Sequence, residues 1–109
     1  MTPAELARYV DHTLLAPTAT HADVAALAAE AVELGTYSIC VSPAMLPVTA
    51  ELGTVKVATV CGFPSGKHTA TMKAAEAAES VALGADEVDM VIDLGLLKAG
   101  RAEATQAEI

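Results

Sequence analysis

The chain has 109 residues, 53% of them apolar and 18% charged, and its 14 Asp and Glu against 6 Lys and Arg give a formal net charge of −8. That apolar content excludes a disordered tail, and the length suits one small domain or part of a larger one. The acidic balance, with cations scattered along the chain, excludes a nucleic-acid or anionic-lipid binder, since both need basic patches.

Aromatic residues are 3% and Trp is absent, so the core must be built from Ala, Val, Leu, Ile and Met. The longest uncharged stretch, Leu34 to Ala50, contains Gly35, Pro43 and Pro47, which a membrane-spanning helix would not tolerate. Met1 to Glu5 lack the positive region and apolar block of a signal peptide, so a cytoplasmic protein with reduced thiols is expected. Cys40 and Cys61 form no CxxC, and His12, His21 and His68 are too dispersed for ligand spacing, so no metal site is expected.

In chain order, Thr2-Pro3-Ala4-Glu5 is a capping box with proline at the first helical position and predicts a short helix. Residues 11–15 leave the helical pattern, stop before Pro17 and read as a short strand. Thr20, with Asp23 three residues on, caps a helix whose stripe is Val24, Leu27, Ala28, Ala31 and Leu34, and Gly35 ends it. A strand follows at 37–41. Ser42-Pro43 then opens a segment whose regular helix is predicted to begin near Leu46 and to close at Gly53.

Residues 55–61 are a β-branched strand that runs into the turn-rich loop Gly62-Phe63-Pro64-Ser65-Gly66. Residues 69–83, alanine-rich and stopped by Gly84, predict a helix of about four turns. A fourth strand is predicted at 87–92, and a further helical pattern starts at Ala102 and meets Ile109 without a stop signal, as though broken off within an element.

Strands alternating with helices argue for βαβ units and a parallel sheet, and near-continuous apolar strands fit burial on both faces. No GxGxxG follows the first strand, which weakens a dinucleotide-binding reading. A (β/α)8 barrel needs about 250 residues, so the expected fold is half of one, with about the first four β/α units.

In such a barrel the C-terminal ends of the strands build the active site, which selects Asp11, Thr13, Cys40, Thr59 and Asp89. Asp89 interrupts the apolar run Val88 to Ile92. A carboxylate there either faces water on an amphipathic strand with Glu87, Val91 and Asp93, or sits in an apolar surround that raises its pKa toward acid-base work. Asp11 has the alternative of a turn residue satisfying backbone donors. Cys40 reads as a small buried hydrophobe or a pocket thiol, and Cys61 as a buried hydrophobe. The loop 62–66 offers backbone donors to an anion, or is simply a tight connection. His12, beside Asp11, is the histidine nearest a site, whereas His21 and His68 read as solvated or capping residues.

The segments Asp11-His12-Thr13-Leu14-Leu15, Ser38-Ile39-Cys40-Val41, Val57 to Pro64 and Gly84 to Ile92 together resemble the N-terminal half of the deoxyribose-phosphate aldolases, in order and interval, over about residues 8 to 101. The resemblance implies residues 1–109 as the first half of a single class I aldolase barrel that reversibly cleaves 2-deoxy-D-ribose 5-phosphate into D-glyceraldehyde 3-phosphate and acetaldehyde. The reaction would run through a lysine Schiff base, without metal or organic cofactor. Asp89 then corresponds to the catalytic aspartate, and Asp11, Thr13 and Cys40 to residues lining the substrate pocket. A small phosphorylated sugar and an aldehyde would be the partners, with a homo-oligomer as a possible state.

A Schiff-base lysine must be desolvated or near another cation. Lys56 is predicted at the N-terminal end of its strand, Lys67 in a loop, Lys73 on a helix and Lys98 in an exposed segment, so the nucleophile is expected in later strands. Asp93 departs from the family's usual Asn. The rival expectation is a non-enzymatic half-barrel that self-associates through its open sheet edges.

Overall fold

The computed structural model describes residues 1–109. Helix α1 spans Pro3–Ala7, β1 Asp11–Leu14, α2 His21–Leu34, β2 Ser38–Val41, β3 Lys56–Cys61, α3 Ala70–Ala82, β4 Glu87–Met90, α4 Leu94–Lys98 and α5 Ala102–Ala107. Both predicted capping boxes form. At α2 the Thr20 hydroxyl accepts from the Asp23 amide at 3.1 Å while the Asp23 carboxylate accepts from the Thr20 amide at 2.8 Å, which satisfies two otherwise orphan donors. Gly35 ends that helix with φ 72°, and its amide donates to the Ala31 carbonyl at 2.9 Å.

The four strands form one parallel sheet in the order β1-β2-β3-β4. Strand order equals chain order, with no reversal of the kind that marks a doubly wound sheet. With crossovers of one hand, every helix falls on the same side of such a sheet, as in a (β/α)8 barrel opened along its axis. Helix α2 packs on β1 and β2, and α3 on β3 and β4.

Alternation along the strands separates two apolar clusters. Beneath the helices lie Val24, Leu27, Ala31, Ile39, Val41, Leu46, Val55, Val57 and Ala85. On the opposite, inner face lie Cys40, Ala58 and Val60, with Leu15 against them. The mostly small inner residues suit a barrel interior, and the larger apolar cluster lies under the helices.

Two segments differ from the sequence reading. No helix begins at Leu46. The connection from β2 to β3 holds a single 3-10 turn at Pro43–Met45, after which Leu46 is extended at φ −83°, ψ 148°. Pro47 explains this, because its ring disfavours the α region for the residue before it, and Leu46 turns into the core instead. The second difference is α4, which the glycine at 95 concealed. Asp93 starts it by accepting the Leu96 amide at 3.2 Å. At α2 the stripe stops one residue early, since Leu34 is exposed.

Candidate active site

Register fixes which side chains share the inner face. Thr13 pairs with Cys40, Cys40 with Ala58, Ala58 with Glu87 and Val60 with Asp89, while Asp11 pairs with Ser38. Paired residues of a parallel sheet point to one side, so Asp11, Thr13, Cys40, Glu87 and Asp89 all project from the face opposite the helices. Four of the five residues selected from the sequence therefore come together. Thr59 does not. It lies in the other set, fully buried, and its hydroxyl donates to the Val41 carbonyl at 2.7 Å to satisfy itself within the sheet. His12 also points to the helix side, where its Nε2 stands 3.4 Å from Glu30 of α2.

Asp11 is the first residue of β1, at the N-terminal end of the strand, and its Oδ1 accepts from the Ser38 hydroxyl at 2.6 Å. Thr13 turns its hydroxyl back onto the Asp11 carbonyl at 2.9 Å. Cys40 is buried between them and β3, and burial, then the carboxylates of Asp89 and Asp11, push its thiol up to about 11. A thiol so placed stays protonated near neutrality, so Cys40 is a neutral wall group and no nucleophile. Asp89 itself is exposed, contrary to the apolar enclosure that its neighbours in sequence suggest. The reason is topological: β4 pairs with β3 alone, and no layer covers the inner face.

Sequence reasoning missed Ser38 as the partner of Asp11, and Tyr37, whose hydroxyl reaches across to Glu87 at 2.8 Å. Hydroxyls at strand starts carry no periodic signal. It also misjudged Lys73. This lysine is desolvated, with its side chain 3% exposed, but its ammonium is held by the Glu108 carboxylate at 3.0 Å, under α3 on the helix side of the sheet. Its nitrogen is thus occupied by a carboxylate and turned away from the inner face, where a Schiff-base amine would have to meet its substrate.

Lys67 pairs with Asp93 at 2.8 Å, Lys56 is the exposed first residue of β3 and Lys98 lies in the last turn of α4. The inner face thus offers carboxylates and a thiol, with Lys56, at the start of β3, as the lysine that the register places on that face. In the loop 62–66 two amides are engaged within the fold. Gly62 donates to Glu76 at 2.9 Å and Gly66 to the Gly62 carbonyl at 2.7 Å.

The rim after β4 is knitted by carboxylates whose pKa values the fold depresses. Lys67 and then the Leu96 amide hold Asp93 below 3.8, Lys73 and then the Asp93 amide hold Glu108 below 4.5, and the Thr20 amide and hydroxyl hold Asp23 low at the start of α2. Lowered folded-state values mean stability that is fully present above the unfolded values and lost as pH falls through the folded ones. Melting temperature is therefore expected to hold steady down to about pH 5 and to fall below it, a course that thermal unfolding followed by circular dichroism would trace.

Residues 6–109 match the sequence profile of the DeoC/LacD family of aldolases. The chain belongs to that family. Among curated DeoC relatives, the deoxyribose-phosphate aldolase of Mycobacterium tuberculosis is 57% identical over 108 residues, covering 99% of this chain and 48% of its own length. The solved aldolase QR15 superposes with a TM-score of 0.87 at 31% identity, over 95% of this chain and 48% of its own. A deoxyribose phosphate aldolase from Aeropyrum pernix, described as having a unique tetrameric structure, superposes with a TM-score of 0.80 at 31% identity, over 98% of this chain and 50% of its own. The chain spans about half the length of the relatives it matches, and its parallel sheet is half of the aldolase (β/α)8 barrel. No helix is long and apolar enough to cross a membrane.

Proposed function

We propose that residues 1–109 are the N-terminal half of a deoxyribose-phosphate aldolase barrel, working in deoxyribonucleotide catabolism in the cytoplasm. In this reading 2-deoxy-D-ribose 5-phosphate is cleaved reversibly to D-glyceraldehyde 3-phosphate and acetaldehyde through a Schiff base, without metal or organic cofactor. The observation that carries it is the convergence of Asp11, Thr13, Cys40 and Asp89 on one face of a half-barrel from a chain 57% identical to relatives of that name.

Asp89 is the proton carrier of the reading. Loss of water from a carbinolamine needs a proton on the departing hydroxyl, which leaves in the water; a carboxyl group at the rim can give that proton and, as the carboxylate, take up one released from the substrate elsewhere in the cycle. Asp11, Thr13 and Cys40 line the pocket, and the amine comes from the second half of the barrel, as does the anchoring of the phosphate. By itself the 109-residue chain is inactive. Homo-oligomeric assembly belongs to the same reading, in line with the tetrameric relative from Aeropyrum pernix.

A half-barrel closed by a second copy of itself is the rival. The unpaired edges of β1 and β4 favour it, but closure would bring Asp11, Glu87 and Asp89 to face a second set of the same three, with only Lys56 at an equivalent position of each sheet. Like charges gathered in a poorly hydrated barrel are strongly disfavoured.

The test is complementation. The chain is co-produced with the C-terminal half of the Mycobacterium tuberculosis relative, and acetaldehyde release from 2-deoxyribose 5-phosphate is followed. Turnover by the purified complex, and by neither half alone, is expected; a folded complex without turnover would refute the assignment.

A further inference from the structure

We infer that Glu108, locked to Lys73, is a positioning residue for Asp89, holding the C-terminal end of β4 in place so that the carboxylate keeps its station on the face it shares with Cys40. The inference begins with how the two ends of β4, an outer strand lying under α3, are held. The strand pairs on one side only, and its ladder to β3 ends with the Val91 amide donating to the Cys61 carbonyl at 3.1 Å. At its N-terminal end the strand is anchored twice, because the Asp86 amide donates to the Val57 carbonyl at 2.7 Å and the Asp86 carboxylate accepts from the Val57 amide at 2.9 Å.

At the other end the anchor is Glu108. Its Oε1 accepts from the Asp93 amide at 2.7 Å and from the Lys73 ammonium at 3.0 Å, so one oxygen ties the end of β4 to α3. Neither partner is free to drift. The Lys73 stem lies over Gly62, where an added Cβ would meet three of its carbons at 3.0 to 3.2 Å, and the Glu108 side chain is 13% exposed. From the far side Lys67 holds the Asp93 carboxylate at 2.8 Å. Asp89 is thus suspended between two fixed points, one at Asp86 and one at Asp93. Removing the second leaves the Val91 amide bond to Cys61 as the last backbone tie beyond Asp89.

The catalytic meaning of this placement rests on the proposed aldolase reading, but the coupling itself does not, and it can be measured without substrate. Cys40 is the reporter, because beyond the effect of burial its thiol is raised by Asp89 from β4 and Asp11 from β1, while Glu87, in its row on the same face, is bound by the Tyr37 hydroxyl. Alkylation by iodoacetamide at pH about 8 is followed by peptide mass, tryptic cleavage at Lys56 separating Cys40 from Cys61. Asp89→Asn removes one of the two charges that suppress the thiolate and is expected to raise the Cys40 rate about threefold, equivalent to about half a pH unit.

Glu108→Ala is expected to give a similar rise, and the double variant no more than either alone, the signature of two changes acting through one group. Leu27→Ala, which destabilises the core away from β4, serves as the control for general loosening and should leave Cys40 at the parent rate under folding conditions. Should Glu108→Ala not fold because it strands a buried ammonium, Lys73→Met with Glu108→Ala removes both charges and should fold with the same rise in rate. Additive effects of Asp89→Asn and Glu108→Ala, an unchanged Cys40 rate in the folded Glu108 variants, or an equal rise in Leu27→Ala would each overturn the inference. Failure of complementation with a positive thiol result would instead refute the aldolase reading alone.

Discussion

Asp89→Asn, introduced into the barrel completed by its second half, is expected to lower turnover by about 10² to 10⁴ fold, the usual contribution of a positioned acid-base group. Asparagine keeps the shape and both hydrogen-bonding directions of the side chain but carries no exchangeable carboxyl proton. Since Asp89 is exposed in this chain and holds no structural partner, the fold should be almost indifferent, within about 0.5 kcal/mol. Steady-state rates of 2-deoxyribose 5-phosphate cleavage, set beside thermal unfolding of the same variant, separate the two effects. A variant with near-normal turnover would remove Asp89 from the chemistry, whatever its neighbours do.

Gly66→Ala should have the largest effect on stability of any single methyl addition in the chain. Gly66 has φ +71°, and a Cβ there would collide with the Ile92 carbonyl oxygen and approach Val91 Cγ1 to 2.9 Å. The obstacle is backbone, so no rotamer change relieves it, and the loop after β3 must part from the end of β4. Left-handed strain of about 1 to 3 kcal/mol adds to overpacking of similar size, for a total of about 3 kcal/mol or more.

Gly35 is the internal comparison, with φ +72° and nothing within 4 Å of the added carbon. Gly35→Ala should cost only the conformational part, about 1 to 2 kcal/mol. Urea unfolding of both variants measures the difference. Equal losses would show that the two loops are not in fact pressed together.

Much of this architecture was legible because local signals agreed with one another. Thr20, Asp23 and Gly35 marked both ends of α2, Ile39 and Val41 between Gly35 and Pro43 marked β2, and a β-branched run between Gly53 and Gly62 marked β3. Where signals conflicted, reading failed. A helix beginning near Leu46 would hold Pro47 within its first turn, where proline is tolerated, but the stronger effect of Pro47 is on Leu46 before it. Glycine at 95 hid a short helix whose cap, Asp93, was visible only as an odd residue.

The candidate residues follow from their place on the strands and from the resemblance, since Asp11, Thr13, Cys40 and Asp89 share no spacing in the chain, and strand position alone does not separate Thr59 from them. The ties among Lys73, Glu108, Asp93 and Lys67 were beyond reach, because they join side chains 15 to 35 residues apart that no periodicity links. Burial of Lys73 was equally hidden: on a helix wheel it is one more cation, and only the packing of α3 over Gly62 takes it out of water.

The central claim is a division of labour, in which this chain supplies the proton-handling face and another segment supplies the amine. Borohydride reduction in the presence of acetaldehyde, followed by peptide mass mapping, tests it directly, since a Schiff base becomes a permanent ethyl group on the lysine that formed it. The account predicts no modification at Lys56, Lys67, Lys73 or Lys98 beyond that of a denatured control, and a single labelled lysine in the second half once the barrel is complete. Stoichiometric labelling of any one of those four residues in the folded chain would contradict it.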